Sequence, residues 1–198
     1  DSRTGGVMVA ASYVWMRQFA SCHSVDSDDG RMLGLLCYYD NSHVPGLIIV
    51  CVHLPNHVSE IISSLAVLRD FIGQHLGDST RIVLAGEWNF TTRDGDRMSL
   101  SQIGFGSNAK DECTIRKCWA SRFDCFPECF QSKFTFASFS VELRNTTMSR
   151  LDRIYISQHP EEALQVLPAT QALGSVYCRE RISDHVAVRI QLTHYSRH

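Results

Sequence analysis

No stretch of this sequence approaches the run of about 18 apolar residues that marks a membrane-crossing helix, so no membrane partner is expected. An excess of positive charge is also missing. Nineteen Lys and Arg against 21 Asp and Glu leave a formal net charge of -2. That argues against a surface that coats nucleic acid non-specifically; a local basic patch, or an enzyme touching a few phosphates, is still compatible with it. No internal repeat and no low-complexity linker divides the chain, so residues 1–198 read as one domain with a real core. A signal-peptide pattern is lacking as well. The first residue is Asp1, so the chain reads as an excised piece whose start is not the natural one.

What is present is ordinary for a globular protein: 44% hydrophobic and 20% charged residues. The cysteines are Cys22, Cys37, Cys51, Cys113, Cys118, Cys125, Cys129 and Cys178. Cys37 and Cys51 fall in apolar, strand-like runs, where a buried free thiol is the usual occupant. Free thiols fit a reducing compartment, so the expected location is intracellular, cytoplasmic or nuclear. Cys113, Cys118, Cys125 and Cys129 have two readings. Their spacing departs from the close pairs of structural zinc sites, which leaves zinc or a set of buried thiols in a helix-loop core.

Hydrophobic periodicity orders the chain. Gly5–Ser12 (GGVMVAAS) predicts a strand, and Trp15–His23 a strand or a connection. Asp26–Gly30 is a turn, followed by strands at Arg31–Tyr39 and Leu47–Leu54 that make a hairpin. Ile61, Ile62, Leu65, Leu68, Phe71, Ile72 and Leu76 recur every three or four residues. They predict an amphipathic helix over Ser59–Leu76 with Ser59 as its cap. Ile115, Trp119, Phe123 and Phe126 suggest a second helix within Glu112–Phe130, ending by Pro127. Further strands are expected at Lys133–Phe139, Leu151–Ile156 and Val186–Leu192, with a loop-helix piece at His159–Leu167. Hairpins, one crossover helix and more strands imply an α+β domain with mixed sheets.

The chemistry concentrates where apolar runs end. In RIVLAGEWNF, Glu87 and Asn89 follow a short buried-strand pattern, and continued alternation would aim both into one site. Charged and amide groups just beyond a buried strand are costly unless they have partners. Asp152 opens the run in SRLDRIYIS, flanked by Arg150 and Arg153; alternation would set Arg150 and Asp152 on one face, as a surface ion pair or with Asp152 orienting an imidazole. Asp184 and His185 precede Val186, able to serve as metal ligand and general base if a turn brings both inward. His53 ends IIVCVH, and Asn56 lies in the break that follows. Arg93, Arg97, Arg144 and Arg150 either rim a groove or are solvated loop charges.

Three of these stretches, GEWN (Gly86–Asn89), RLDRI (Arg150–Ile154) and SDHVAV (Ser183–Val188), stand in the order and spacing of G-D-x-N, R-x-D-R/Y-I and S-D-H-x-x-V. The sequence therefore resembles the endonuclease/exonuclease/phosphatase superfamily, the DNase I-like metal-dependent phosphoesterases. It is most similar to the endonuclease domain of non-LTR retrotransposons. The resemblance covers nearly the whole chain. It implies a DNase I-like layered β-sandwich flanked by helices and truncated at its N-terminus, with Mg²⁺ or Mn²⁺ as cofactor. It implies DNA as partner, alongside a reverse transcriptase domain in the same polyprotein.

Position by position, the resemblance makes His185 the group that activates water, Asp152 its orienting carboxylate and Asn89 a contact to the scissile phosphate. His53 would lie near the leaving group, Asp184 and Glu87 at the metal, and Asn56 against substrate; Arg93, Arg144 and Arg150 would contact substrate only on the groove-rim reading of the loop arginines. Two departures stand out. Glu87 replaces the family's Asp, moving the carboxylate by roughly 1–1.5 Å, and a misplacement near 1 Å can cost on the order of 100-fold in rate. The strands that supply the family's upstream Asn and metal-binding Glu are not found before Gly5. Three functions compete: a DNA-nicking endonuclease, a family phosphoesterase acting on a different substrate, and a non-catalytic or decayed nucleic-acid-binding remnant.

Overall fold

The computed structural model describes residues 6–77, 80–99, 104–105, 109–138, 147–157, 166–172, 185 and 188–194. A five-stranded sheet forms its centre. It is built from β1 (Ser21–Asp26), β2 (Met32–Tyr38), β3 (Leu47–His53), β4 (Arg81–Glu87) and β9 (Asp152–Ile156), in the order β1-β2-β3-β4-β9. Only β3 and β4 run parallel; the other neighbours are antiparallel. The parallel pair needs a crossover, supplied by α2 (Val58–His75).

The sheet's helical face is the main core. Ile48, Val50, Val52, Ile82 and Leu84 meet Ile61, Leu65, Leu68 and Ile72 of α2. Ile115, Trp119 and Phe123 of α3 (Ala109–Phe123) complete the cluster. Each fully buried aliphatic side chain there contributes about 1.5–3 kcal/mol. On the opposite face Val83, Ile154 and Ile156 pack with Leu47, Ile49 and Ala85, and Val188 of β11 (Val188–His194) covers them. β11 pairs with β10 (Val166–Ala172). A four-stranded sheet, β6-β5-β8-β7, joins Gly104–Phe105, Arg97–Ser99, Thr147–Ser149 and Phe136–Ser138. Mixed sheets flanked by helices are the α+β architecture expected.

Several sequence expectations are corrected. Residues 6–12 form no strand. They find no partner edge among the described residues, an unpaired extended segment gains no ladder bonds, and Met8 is 80% exposed. Trp15–His23 divides into a helical turn, α1 (Tyr13–Met16), and the start of β1. Helix α2 begins at Val58, so His57 is its N-cap and Ser59 lies in the first turn; the cap makes no side-chain bond. The helix continues through Gly73.

Helix α3 stops at Phe123 because the chain beyond it pairs with β9: the Cys129 N–H donates to the Ile154 carbonyl at 2.8 Å and the Ile156 N–H to the Pro127 carbonyl at 3.3 Å. β10 replaces the end of the loop-helix expected over His159–Leu167. Its Pro168 breaks the strand pattern in the sequence, yet a two-stranded sheet has edges that accept proline. Residues 158–165 lie outside the described residues.

Candidate active site

At one end of the central sheet, His53 pairs with Glu87 across β3 and β4, and Glu87 pairs with Asp152 across β4 and β9. A parallel strand end, its neighbour's end and an antiparallel strand start thus meet in one row. Close approach of β3 and β4 depends on Gly86. Its φ is +143°, and a Cβ there would stand 1.9 Å from the Val52 carbonyl oxygen. Trp88 locks the row from behind. Its N–H donates to the Leu151 carbonyl at 3.0 Å and its indole Nε1 to the Arg153 carbonyl at 3.1 Å.

His185 joins this row from far along the chain. It bridges Phe136 in antiparallel fashion, and the two rings lie 5.0 Å apart. Its Nδ1 lies 2.9 Å from Asp152 Oδ2, a good hydrogen bond, and its Nε2 lies 3.7 Å from Glu87 Oε1. His53 Nε2 is 3.5 Å from the other Glu87 oxygen. All four side chains keep between 22% and 31% of their surface exposed, so the cluster is open to a substrate. Burial pushes the Glu87 carboxyl above the usual carboxylate range. His185 and His53 pull it back, Asp152 adds to the rise, and a hydrogen bond from Asn89 lowers it; the net direction is upward.

Asn89 reaches the site by a different route from the alternation expected. β4 ends at Glu87, and Asn89 adopts a left-handed φ of 53°, a conformation Asn tolerates better than most residues. Its Nδ2 donates to the Leu54 carbonyl at 2.6 Å, tying the ends of β3 and β4 together beside Glu87.

The arginines divide. Arg150 is withdrawn from any groove rim and enters a different charge cluster from Asp152. It precedes β9, is 2% exposed, and binds Asp96 at 2.9 Å and also Glu128. Arg93 is exposed, its guanidinium 4.2 Å above the Phe130 ring. Asn56 is exposed in the turn before α2. Arg144 and Asp184 lie outside the described residues. Sequence reasoning passed over Asp96, Glu128 and Thr135. Each carries only a local polar signal, and each has a partner distant in sequence, 16 to 54 residues away.

Among the described residues no three His, Cys, Asp or Glu side chains converge to hold a metal ion. Mg²⁺ takes oxygen ligands and often uses only one or two carboxylates beside water and phosphate; Glu87 fits one such position and no more. The described cysteines form no such group either. Cys113 and Cys125 are exposed, Cys118 and Cys129 buried, and the seven described cysteines are free. Burial pushes the Cys129 thiol up to about 12, with Glu128 adding to it, as for an inert core thiol. Cys178 lies outside the described residues.

No protein-family model and no curated protein matches this sequence. Solved structures do match. An AP endonuclease from Archaeoglobus fulgidus superposes with a TM-score of 0.58 at 14% identity, covering 83% of this chain and 66% of that one. The 3′ phosphatase NExo from Neisseria, bound to a product DNA hairpin, gives 0.58 at 15%, covering 88% and 71%. TDP2 from D. rerio, complexed with a single-strand DNA product, gives 0.52 at 14%, covering 86% and 66%. This chain spans about two thirds of the length of the first of these, 66%. What it shares with them is the fold, an α+β arrangement of mixed sheets flanked by helices.

Proposed function

We propose that this chain is a phosphodiester-cleaving domain of the endonuclease/exonuclease/phosphatase superfamily that nicks DNA, of the kind encoded beside a reverse transcriptase in non-LTR retrotransposons. The observation that carries this reading is the open row His53–Glu87–Asp152 with His185 hydrogen-bonded to its last member. An imidazole held by a carboxylate through one nitrogen presents the other as a base. DNA as substrate draws support from the product DNA in two structures of like fold and from the motifs GEWN, RLDRI and SDHVAV.

In this reading Asp152 accepts the Nδ1–H of His185 and leaves Nε2 unprotonated. His185 Nε2 takes a proton as water attacks phosphorus in line; the new P–O bond forms while the bond to the leaving oxygen breaks. His53, on the other side of Glu87, donates a proton to that oxygen. Asn89 exchanges its contact with Glu87 for a non-bridging phosphate oxygen. A divalent cation, Mg²⁺ or Mn²⁺, held in part by Glu87, supplies neutralisation of the phosphate charge when bound.

A second reading has its own observation. The Glu87 carboxylate stands 3.7 Å from the nitrogen that must act as base, which suits a domain that binds nucleic acid without cleaving it. Supercoiled-plasmid nicking in Mg²⁺ and in Mn²⁺ separates the two. The wild type is expected to nick, and His185→Ala to lose about 10²–10⁴-fold, the span of general-base catalysis, with its melting temperature unchanged. DNA binding with no nicking by the wild type would leave the second reading standing.

A further inference from the structure

We infer that Thr135 is a positioning residue for the Asp152–His185 pair, an inference that rests on the reading of that pair as the acid–base centre. Thr135 lies just before β7 and is fully buried. Its hydroxyl oxygen accepts two hydrogen bonds from consecutive backbone groups, the Leu151 N–H at 3.1 Å and the Asp152 N–H at 3.0 Å. Its own N–H donates to the Ser149 carbonyl at 3.0 Å, which pins it to β8. The next residue, Phe136, bridges His185 and lays its ring beside the imidazole. Two adjacent residues therefore hold both members of a pair that is 33 residues apart in sequence.

The physical need is local. Leu151 spends its carbonyl on Trp88, and buried N–H groups need acceptors. Two successive N–H groups converge on one oxygen only when the backbone between them is set, and that backbone fixes where the Asp152 side chain starts. Threonine suits the task better than serine because its β-branch restricts χ1 and keeps the oxygen in place. Asp152 then meets Nδ1 of His185, and the tautomer protonated at Nδ1 is selected.

The test compares Thr135→Val, nearly the same shape without the acceptor, with Thr135→Ser, which keeps it. Nitrogen NMR of His185, taken with the imidazole neutral, reads the tautomer directly and needs no turnover. The wild type and Thr135→Ser are expected to show one tautomer protonated at Nδ1, and Thr135→Val a mixture. In nicking assays Thr135→Val is expected to lose roughly 10- to 100-fold in kcat with KM unchanged, and Thr135→Ser to recover most of it.

A folded Thr135→Val with the wild-type tautomer overturns the inference. Should that variant fail to fold, amide exchange in the wild type decides: Leu151 and Asp152 are expected to be as protected as Ile154, and rapid exchange at both overturns it. A wild type that does not nick removes the proposed activity alone, because the tautomer and the exchange are read without it.

Discussion

Arg150 and Asp152 stand two residues apart and enter two charge clusters of opposite character. Arg150 enters a closed one. Its guanidinium, Asp96 and Glu128 are between 2% and 9% exposed. One Asp96 oxygen takes the Arg150 Nε at 2.9 Å. The other takes the Thr92 and Arg93 N–H groups at 3.0 and 2.9 Å, tying the loop after Asn89 to the start of β9. Asp152 enters the open cluster with His185, Glu87 and His53.

The carboxylates record the difference. Burial alone would raise Asp96, but the fixed positive charge of Arg150 and the donors around it outweigh burial and hold it below the usual range. Glu87 is also driven up by burial, and its neighbours are imidazoles, whose charge is conditional; it stays raised. A permanent cation satisfies a carboxylate and leaves nothing for chemistry. Titratable partners leave it poised. The closed cluster suits a scaffold, and the open one is the candidate site.

Removing the permanent cation should have the largest effect. Arg150→Met leaves Asp96 and Glu128 buried without their counter-charge, and loss of one partner of a buried pair costs about 3–5 kcal/mol; urea unfolding should show this in the midpoint. Glu87→Asp comes next and acts on the open cluster only. Withdrawing the carboxylate moves it away from Nε2 of His185, and a raised nicking rate on the order of 100-fold is expected with stability little changed. A silent Glu87→Asp in a folded protein would favour the binding-only reading.

The smallest effect is in pH. Asp96, depressed in the folded state, contributes stability that is present above its unfolded value and lost as pH falls through the folded one. Glu87, raised, contributes stability that is present below its unfolded value and lost as pH rises through the folded one. On acidification from neutral pH, Glu87→Gln should therefore remove a gain that the wild type shows first. Asp96→Asn should remove a loss that appears below about pH 4, where unfolded carboxylates titrate. Unfolding curves across that range would show both differences against the wild type.

Much of the central sheet was legible because its signals are local. Apolar runs and a three-to-four-residue period name β2, β3, α2 and β4 within a residue or two, and polar residues at strand ends mark His53, Glu87 and Asp152. Less was legible where a neighbour decides. Residues 6–12 look like a strand and pair with no strand among the described residues. Pro168 hides β10, which a two-stranded sheet tolerates. Arg150 looks like a groove residue until Asp96 and Glu128 arrive from 54 and 22 residues away.

By itself, then, the sequence determined an α+β chain with mixed sheets, a crossover helix and a short set of candidate residues, because strand and helix patterns and turn chemistry are properties of neighbouring residues. Tertiary structure alone decided which candidates meet. It set His53, Glu87 and Asp152 side by side through strand register, brought His185 to them through Phe136, and closed one of two adjacent charges away from water. Register, burial and the position of a hydroxyl such as that of Thr135 depend on segments distant in sequence, and no local pattern encodes their meeting.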